Sequence, residues 1–214
     1  RSVYVASASS DAVAVLDRDP GTGALTQKPG TAGCISETGT GGACQDGLAL
    51  DGAISVTVSP DGRSVYVASL DSAAIAVFGR DPGTGALTQK PGTAGCVSET
   101  GTGGACQDGV ALEYAYSVTT SPDGRSVYVA SASSDAVAVL DRDPATGALT
   151  QKPGTAGCIS ETGTGGACQD GVALDEPVSA TVSPDGRSVY VASDLGAVAV
   201  LDRARFPVCT SEAR

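Results

Sequence analysis

The residues best equipped for chemistry in this chain come in threes. Cys34 and Cys44, Cys96 and Cys106, and Cys158 and Cys168 form pairs, each enclosing nine residues rich in glycine. Zinc sites show tighter CxxC pairs with histidine or further cysteine nearby. The spacing therefore favours three disulfides, Cys34–Cys44, Cys96–Cys106 and Cys158–Cys168, over a metal site or free thiols. Each closed loop would contribute about 2.5–3 kcal/mol in the chain-entropy account, and three bridges imply an oxidising, secreted or cell-surface setting. Cys209 stands outside this pattern, and is expected to pair with another chain or a further segment, or to remain free.

The same loops repeat an acidic set: Glu37, Asp46 and Asp51; Glu99, Asp108 and Glu113; Glu161, Asp170 and Asp175. Carboxylates beside glycine-rich carbonyls are what calcium takes, with six to eight oxygen ligands. The ordered spacing of known calcium loops is missing, so calcium stands as a weak candidate at Glu37, Asp46, Glu99, Asp108, Glu161 and Asp170, and a solvated acidic surface is the simpler reading. No cofactor is otherwise indicated. Asp19, Asp81 and Asp143, and Asp61, Asp123 and Asp185, lie beside proline or glycine, where aspartate shapes turns. Histidine is absent, which removes every Ser-His-Asp or Cys-His arrangement and every histidine-ligated metal. No catalytic residue is singled out.

The net charge is −11, with 24 acidic against 13 basic side chains. Nucleic acid, which needs clustered Lys and Arg, is excluded as a partner. No apolar run approaches the roughly 20 residues of a membrane-spanning helix. Met, Trp and Asn are also absent, so there is no N-glycosylation sequon. The chain opens on Arg1 in mid-repeat instead of on Met, and the expectation is a processed or excised segment.

These groups must be positioned by a unit copied every 62 residues: Arg-Ser-Val-Tyr-Val-Ala-Ser recurs at Arg1, Arg63, Arg125 and Arg187. The copies are 1–62, 63–124, 125–186 and a partial 187–206, with a divergent tail 207–214. A period of this size marks a solenoid, propeller or array. Within the first copy, Ser2–Ala6, Ala12–Leu16, Ala24–Gln27 and Ile54–Val58 read as strands, separated by Pro/Gly turns and one long glycine-rich excursion from Pro29 to Asp46. No helical period is visible. The expected fold is all-β, with four-stranded antiparallel blades of the β-propeller type. A stacked β-solenoid competes, but it lacks hairpin turns such as Ser59-Pro-Asp-Gly62. Arg1, Arg63, Arg125 and Arg187 are expected to form ion pairs with neighbouring Asp.

The string Ser-Pro-Asp-Gly-Arg-Ser-Val-Tyr-Val-Ala-Ser at 59–69, 121–131 and 183–193 resembles the signature of YVTN-type propeller repeats. The Asp-Arg-Asp-Pro-x-Thr-Gly-Ala-Leu-Thr string at 17–26 and 141–150 resembles the lactonase-like propellers related to 6-phosphogluconolactonase. The resemblance implies that the Ser-Pro-Asp-Gly turn joins the innermost strand to the next one out. It also implies that the cysteine loop crosses from the outermost strand to the following blade, on the face of the Ala8–Asp11 turn. A lactonase site in this family includes histidine, which this chain lacks. The resulting expectation is a non-enzymatic structural or assembly subunit, of a fibre or surface layer. The alternatives are a glycan- or protein-binding module and, least favoured, a lactonase-like hydrolase. Unpaired strand edges at both ends point to self-association.

Overall fold

The computed structural model describes residues 1–205, and Cys209 lies outside them. Among the described residues there is no α-helix, only short 3-10 turns between strands. Four sheets follow one another along the chain as blades.

The second strand of each blade is the repeated Ser-Val-Tyr-Val-Ala-Ser: Ser2–Ser7, Ser64–Ser69, Ser126–Ser131 and Ser188–Ser193. Alternating β-branched and small residues suit a strand packed on both faces. Inside it lies the innermost strand, Ala53–Val58, Ala115–Thr120 or Pro177–Val182, paired antiparallel through the Ser-Pro-Asp-Gly hairpin. In that turn Ser59 Oγ donates to Asp61 Oδ1 at 2.6 Å, and the Arg63 N–H donates to the same oxygen at 3.0 Å. Outside the second strand runs the third, Ala12–Arg18, Ala74–Arg80, Ala136–Arg142 or Val198–Asp202. Its apolar run is buried from both sides in the middle blades.

The fourth position departs from the sequence reading. Leu25–Gln27 pairs with only the far end of the third strand. The chain then leaves, turns, and returns as Cys34–Ser36 to pair with the near end of that strand, and Gln45–Asp46 adds a parallel rung outside it. The glycine-rich excursion is thus part of the sheet, and its disulfide joins the returning rung to the turn beyond, with Cα atoms 4.8 Å apart. The other two bridges, Cys96–Cys106 and Cys158–Cys168, repeat this geometry. The loop lies on the face of the Ala8–Asp11 turn, as the Glu37 N–H donates to the Asp11 carbonyl at 3.0 Å.

The core lies between blades and not within them. One apolar cluster joins Val13, Val15 and Ile35 of the first blade to Val65, Val67 and Phe78 of the second. A second and a third repeat this at the following junctions. The small side chains let the sheets approach closely, and serines stitch the inner strands together: the Val118 N–H donates to Ser55 Oγ and the Ala180 N–H to Ser117 Oγ, each at 3.2 Å.

A polar clamp closes each junction at its other end. Tyr66 Oη donates to the Gly147 carbonyl at 2.9 Å and accepts from Arg142 Nε at 2.7 Å. Arg142 also reaches Asp61 at 2.8 Å. Gly147 has φ of +73°, and a Cβ there would lie 2.0 Å from Ser64 Oγ, so the turn needs glycine twice over. Tyr4 repeats the two tyrosine bonds, with the Gly85 carbonyl and Arg80, and Tyr128 repeats the arginine bond with Arg203, which also pairs with Asp123. The arginine that pairs is therefore the one ending the third strand. The expected ladder from Arg63 and Arg125 is replaced by this arrangement, and Arg187 makes only an exposed 4.0 Å approach to Asp185.

Candidate active site at the junction of the third and fourth blades

The turn aspartates are fully engaged in holding the backbone. Asp19 Oδ1 accepts from the N–H groups of Gly21 and Thr22 and from Thr22 Oγ1, and these bonds lower its pKa. Burial pushes Asp61 up, but hydrogen bonds from Ser59, Arg142 and the Arg63 N–H outweigh it and hold the carboxyl at about 2. Neither group is available as a proton carrier near neutral pH.

The acidic set of the cysteine loops is dispersed. Glu37, Glu99 and Glu161 each accept one backbone N–H, from Leu50, Leu112 and Leu174, at 2.6 Å. They pin the crossover to the next blade. Burial, with repulsion from Asp51, Asp11 and Asp46, raises the Glu37 carboxyl despite the Leu50 bond. Burial likewise raises Glu99. Asp46, Asp108 and Asp170 sit exposed on the outer rungs. Among the described residues no three His, Cys, Asp or Glu side chains converge to hold a metal ion.

A cleft of about 630 Å³ opens between the third and fourth blades. Four carboxylates, Asp135, Asp175, Glu176 and Asp194, line it together with Tyr114 and Tyr116. It lies where the crossover enters the inner strand and where the second strand turns into the third. Two blades thus contribute short, rigidly anchored turns to one spot.

The backbone explains why these side chains project there. Gly52, Tyr114 and Glu176 occupy one repeat position, with φ of +69°, +59° and +48°. This left-handed conformation suits glycine and costs other residues of order 1 kcal/mol or more. The strain is held by hydrogen bonds: the Ala132 N–H donates to the Tyr114 carbonyl at 3.0 Å, the Asp194 N–H to that of Glu176 at 3.0 Å, and the Glu176 N–H to Asp135 Oδ1 at 2.9 Å. Asp135 is thereby a positioning group. Two residues on, the inner strand shifts register at Tyr116 and Val178, a bulge that re-aims a side chain. Asp175 and Asp194 have no side-chain hydrogen-bond or ion-pair partner among the described residues. Ser131 Oγ, one residue before the cleft-lining Ala132, is buried without a partner, although its equivalents Ser69 and Ser193 each bond a carbonyl.

The site is not a copied one. At the preceding junction Tyr114, Tyr116, Asp135 and Asp194 are replaced by Gly52, Ile54, Ala73 and Ala132. The tyrosines and carboxylates coincide at one junction only among the described residues. Sequence reasoning passed over this, although the signal was present: Glu113-Tyr-Ala-Tyr116 departs from Asp51-Gly-Ala-Ile54 in an otherwise faithful repeat.

No family model matches the sequence, and no curated protein is similar to it. Solved structures do match in fold. A Bacteroides uniformis protein named as a candidate 6-phosphogluconolactonase superposes with a TM-score of 0.64 at 16% identity, over 95% of this chain and 47% of its own. A Lactobacillus plantarum protein gives 0.56 at 20% identity, over 90% and 48%. Hydrazine synthase of Kuenenia stuttgartiensis gives 0.56 at 18%, over 98% and 45%. The chain spans about half the length of these proteins, and its resemblance to lactonase-like propellers holds at the level of the fold. The expectation of a non-enzymatic structural subunit is corrected here. The Bacteroides uniformis protein, which shares this fold, is named for lactone hydrolysis. Missing histidine does not exclude hydrolysis, because a carboxylate can do a general base's work.

Proposed function

We propose that this chain binds and hydrolyses an unphosphorylated sugar lactone in the cleft between its third and fourth blades. One observation carries the reading: at this break in the repeat, two tyrosines and four carboxylates line one cleft, with no Lys or Arg among its described lining residues. Aromatic faces suit the C–H surface of a sugar ring. Carboxylates accept hydrogen bonds from its hydroxyls. A phosphate would meet only negative charge.

In hydrolysis, one of the unpartnered carboxylates, Asp175 or Asp194, takes a proton from water as the oxygen attacks the lactone carbonyl. A tyrosine O–H donates to the developing oxyanion. The intermediate collapses, the ring oxygen leaves and receives the proton from the carboxyl group, and the open-chain acid is released. Asp135 holds the turn, not the substrate. The three disulfides fit a non-reducing environment, and we place the protein outside the cytosol, secreted or at a cell surface.

The test is calorimetric titration with the lactam analogue of gluconolactone, which cannot be opened. Saturable binding that is lost in Tyr116→Ala and retained in Tyr4→Phe, far from the cleft, is expected. Equal binding by both variants would refute the assignment of the cleft.

A further inference from the structure

We infer that the cleft has one movable and one fixed wall: the turn of Glu113 and Tyr114 is a strap free to shift, the opposite turn of Asp175 and Glu176 is held, and Ala73 is the residue that frees the strap. The inference stands on the hydrogen bonds of the crossovers between blades and is independent of the chemistry of the cleft.

The chain crosses between blades three times, over residues 49–52, 111–114 and 173–176, and the copies compare position by position. One tie is common to all three. The N–H of Leu50, Leu112 or Leu174 donates to the carboxylate of Glu37, Glu99 or Glu161 at 2.6 Å. Two further ties are made by the first and third crossovers alone. The Gly52 N–H donates to Asp11 Oδ1 and the Glu176 N–H to Asp135 Oδ1, each at 2.9 Å. Ser69 Oγ donates to the Ala49 carbonyl at 2.9 Å and Ser193 Oγ to the Ala173 carbonyl at 3.0 Å.

The middle crossover lacks both. Ala73 stands where Asp11 and Asp135 supply the acceptor, and the Tyr114 N–H has no acceptor among the described residues. Ser131 Oγ, the copy of the two bonded serines, is fully buried and has no partner. Ser131 and Ala111 are both unchanged from the other copies, so this second loss reports where the crossover backbone lies, not a missing side chain. The surviving bonds, from the Glu113 N–H to Ser134 Oγ and from the Ala132 N–H to the Tyr114 carbonyl, tie the strap to the third blade's own turn. Of the two carboxylate ties to the preceding blade, only that of Glu99 remains. Complete blades flank this crossover on both sides, so the loss is no effect of an array end.

Tyr114 therefore keeps a left-handed φ of +59° without the bond that braces Glu176 at +48°. A residue with a side chain holds that conformation only where its surroundings enforce it. Release of this one residue re-aims the half-exposed Tyr114 ring at the cleft's edge. The acidic wall stays pinned by Asp135. One short turn moving against a fixed wall is enough to close a cleft on a ligand.

The test is amide hydrogen exchange on the disulfide-intact chain, read residue by residue by NMR, in the wild type, Ala73→Asp and Asp135→Ala. The Leu50, Leu112 and Leu174 amides make the same bond at the same length, so differences among them report motion of the crossovers. Leu112 is expected to exchange at least tenfold faster than both copies. An array that merely frays from its ends would give the reverse order, with the middle crossover slowest. Ala73→Asp returns the carboxylate at a left-handed position, φ +46°, that aspartate accepts. It is expected to slow Leu112 to the rate of its copies and leave Leu50 unchanged. Asp135→Ala makes the reciprocal change and is expected to speed Leu174 at least tenfold; should it fail to fold, the other two proteins decide. A Leu112 amide no faster than its copies, or one indifferent to Ala73→Asp, would overturn the proposal. The expected rates in a chain that binds no lactam would uphold the strap and remove the lactone reading.

Discussion

Replacing Tyr66 by Phe isolates the clamp that ties neighbouring blades. The ring is retained, so no cavity opens and only the hydroxyl is lost. That hydroxyl sits fully buried, donates to the Gly147 carbonyl and accepts from Arg142 Nε. A neutral hydrogen bond contributes about 0.5–1.5 kcal/mol and one to a charged group about 1.5–3 kcal/mol, and groups left buried without partners raise the cost. The expected destabilisation is about 2–4 kcal/mol. At roughly 2–4 °C per kcal/mol for a domain of this size, that is a fall in Tm of about 4–16 °C. Tyr190→Phe is the internal control: the side chain is exposed, its hydroxyl makes no hydrogen bond among the described residues, and the change should stay within about 0.5 kcal/mol. Urea unfolding followed by far-UV circular dichroism reads both midpoints. A repeat array need not unfold in one step, so the comparison is between midpoints of the same transition. Equal losses at Tyr66 and Tyr190 would refute the clamp as the source of junction stability.

Removing one bridge with the double substitution Cys96→Ser and Cys106→Ser should lower stability by about 2.5–3 kcal/mol, read as a shift in denaturation midpoint, while the wild type should show six thiols blocked to alkylation unless reduced. The pH profile has two opposing parts. Asp61, held at about 2, lies below its unfolded value of about 3.9, so its contribution is complete above that value and is lost as pH falls toward 2. Glu37 and Glu99 have raised values, so they oppose folding at neutral pH and this penalty is relieved as pH falls through them. Stability should therefore peak in mild acid, and the double substitution Glu37→Gln and Glu99→Gln should raise the neutral-pH midpoint and flatten the rise. Thermal melts across the range decide it; a peak unchanged by the double substitution would contradict the assignment.

Much of the architecture can be read from local signals. The 62-residue period, the Ser-Pro-Asp-Gly hairpins and the second and third strands need only short-range turn chemistry and β-branched runs. The cysteine pairs are legible for the same reason, since both partners lie in one loop. The return of Cys34–Ser36 to the sheet is not legible, because three residues carry no period and their pairing depends on where the third strand already lies. The clamp is hidden because Tyr66 and Arg142 are 76 residues apart, and nothing local distinguishes Arg142 from Arg125. The cleft fell between these cases. Tyr114 and Tyr116 stand out as departures from the repeat, but their meaning depends on the positive φ and the bulge that bring them beside Asp135, Asp175 and Asp194.

The most direct measurement is the initial rate of ring opening of gluconolactone by the purified, disulfide-intact chain, followed by proton release and corrected for spontaneous hydrolysis. Turnover above background is predicted, at least tenfold slower when Asp175 and Asp194 are both changed to Asn, and slower with the 6-phosphorylated lactone than with the neutral one. A rate no higher than background, or one indifferent to those two carboxylates, would contradict the account.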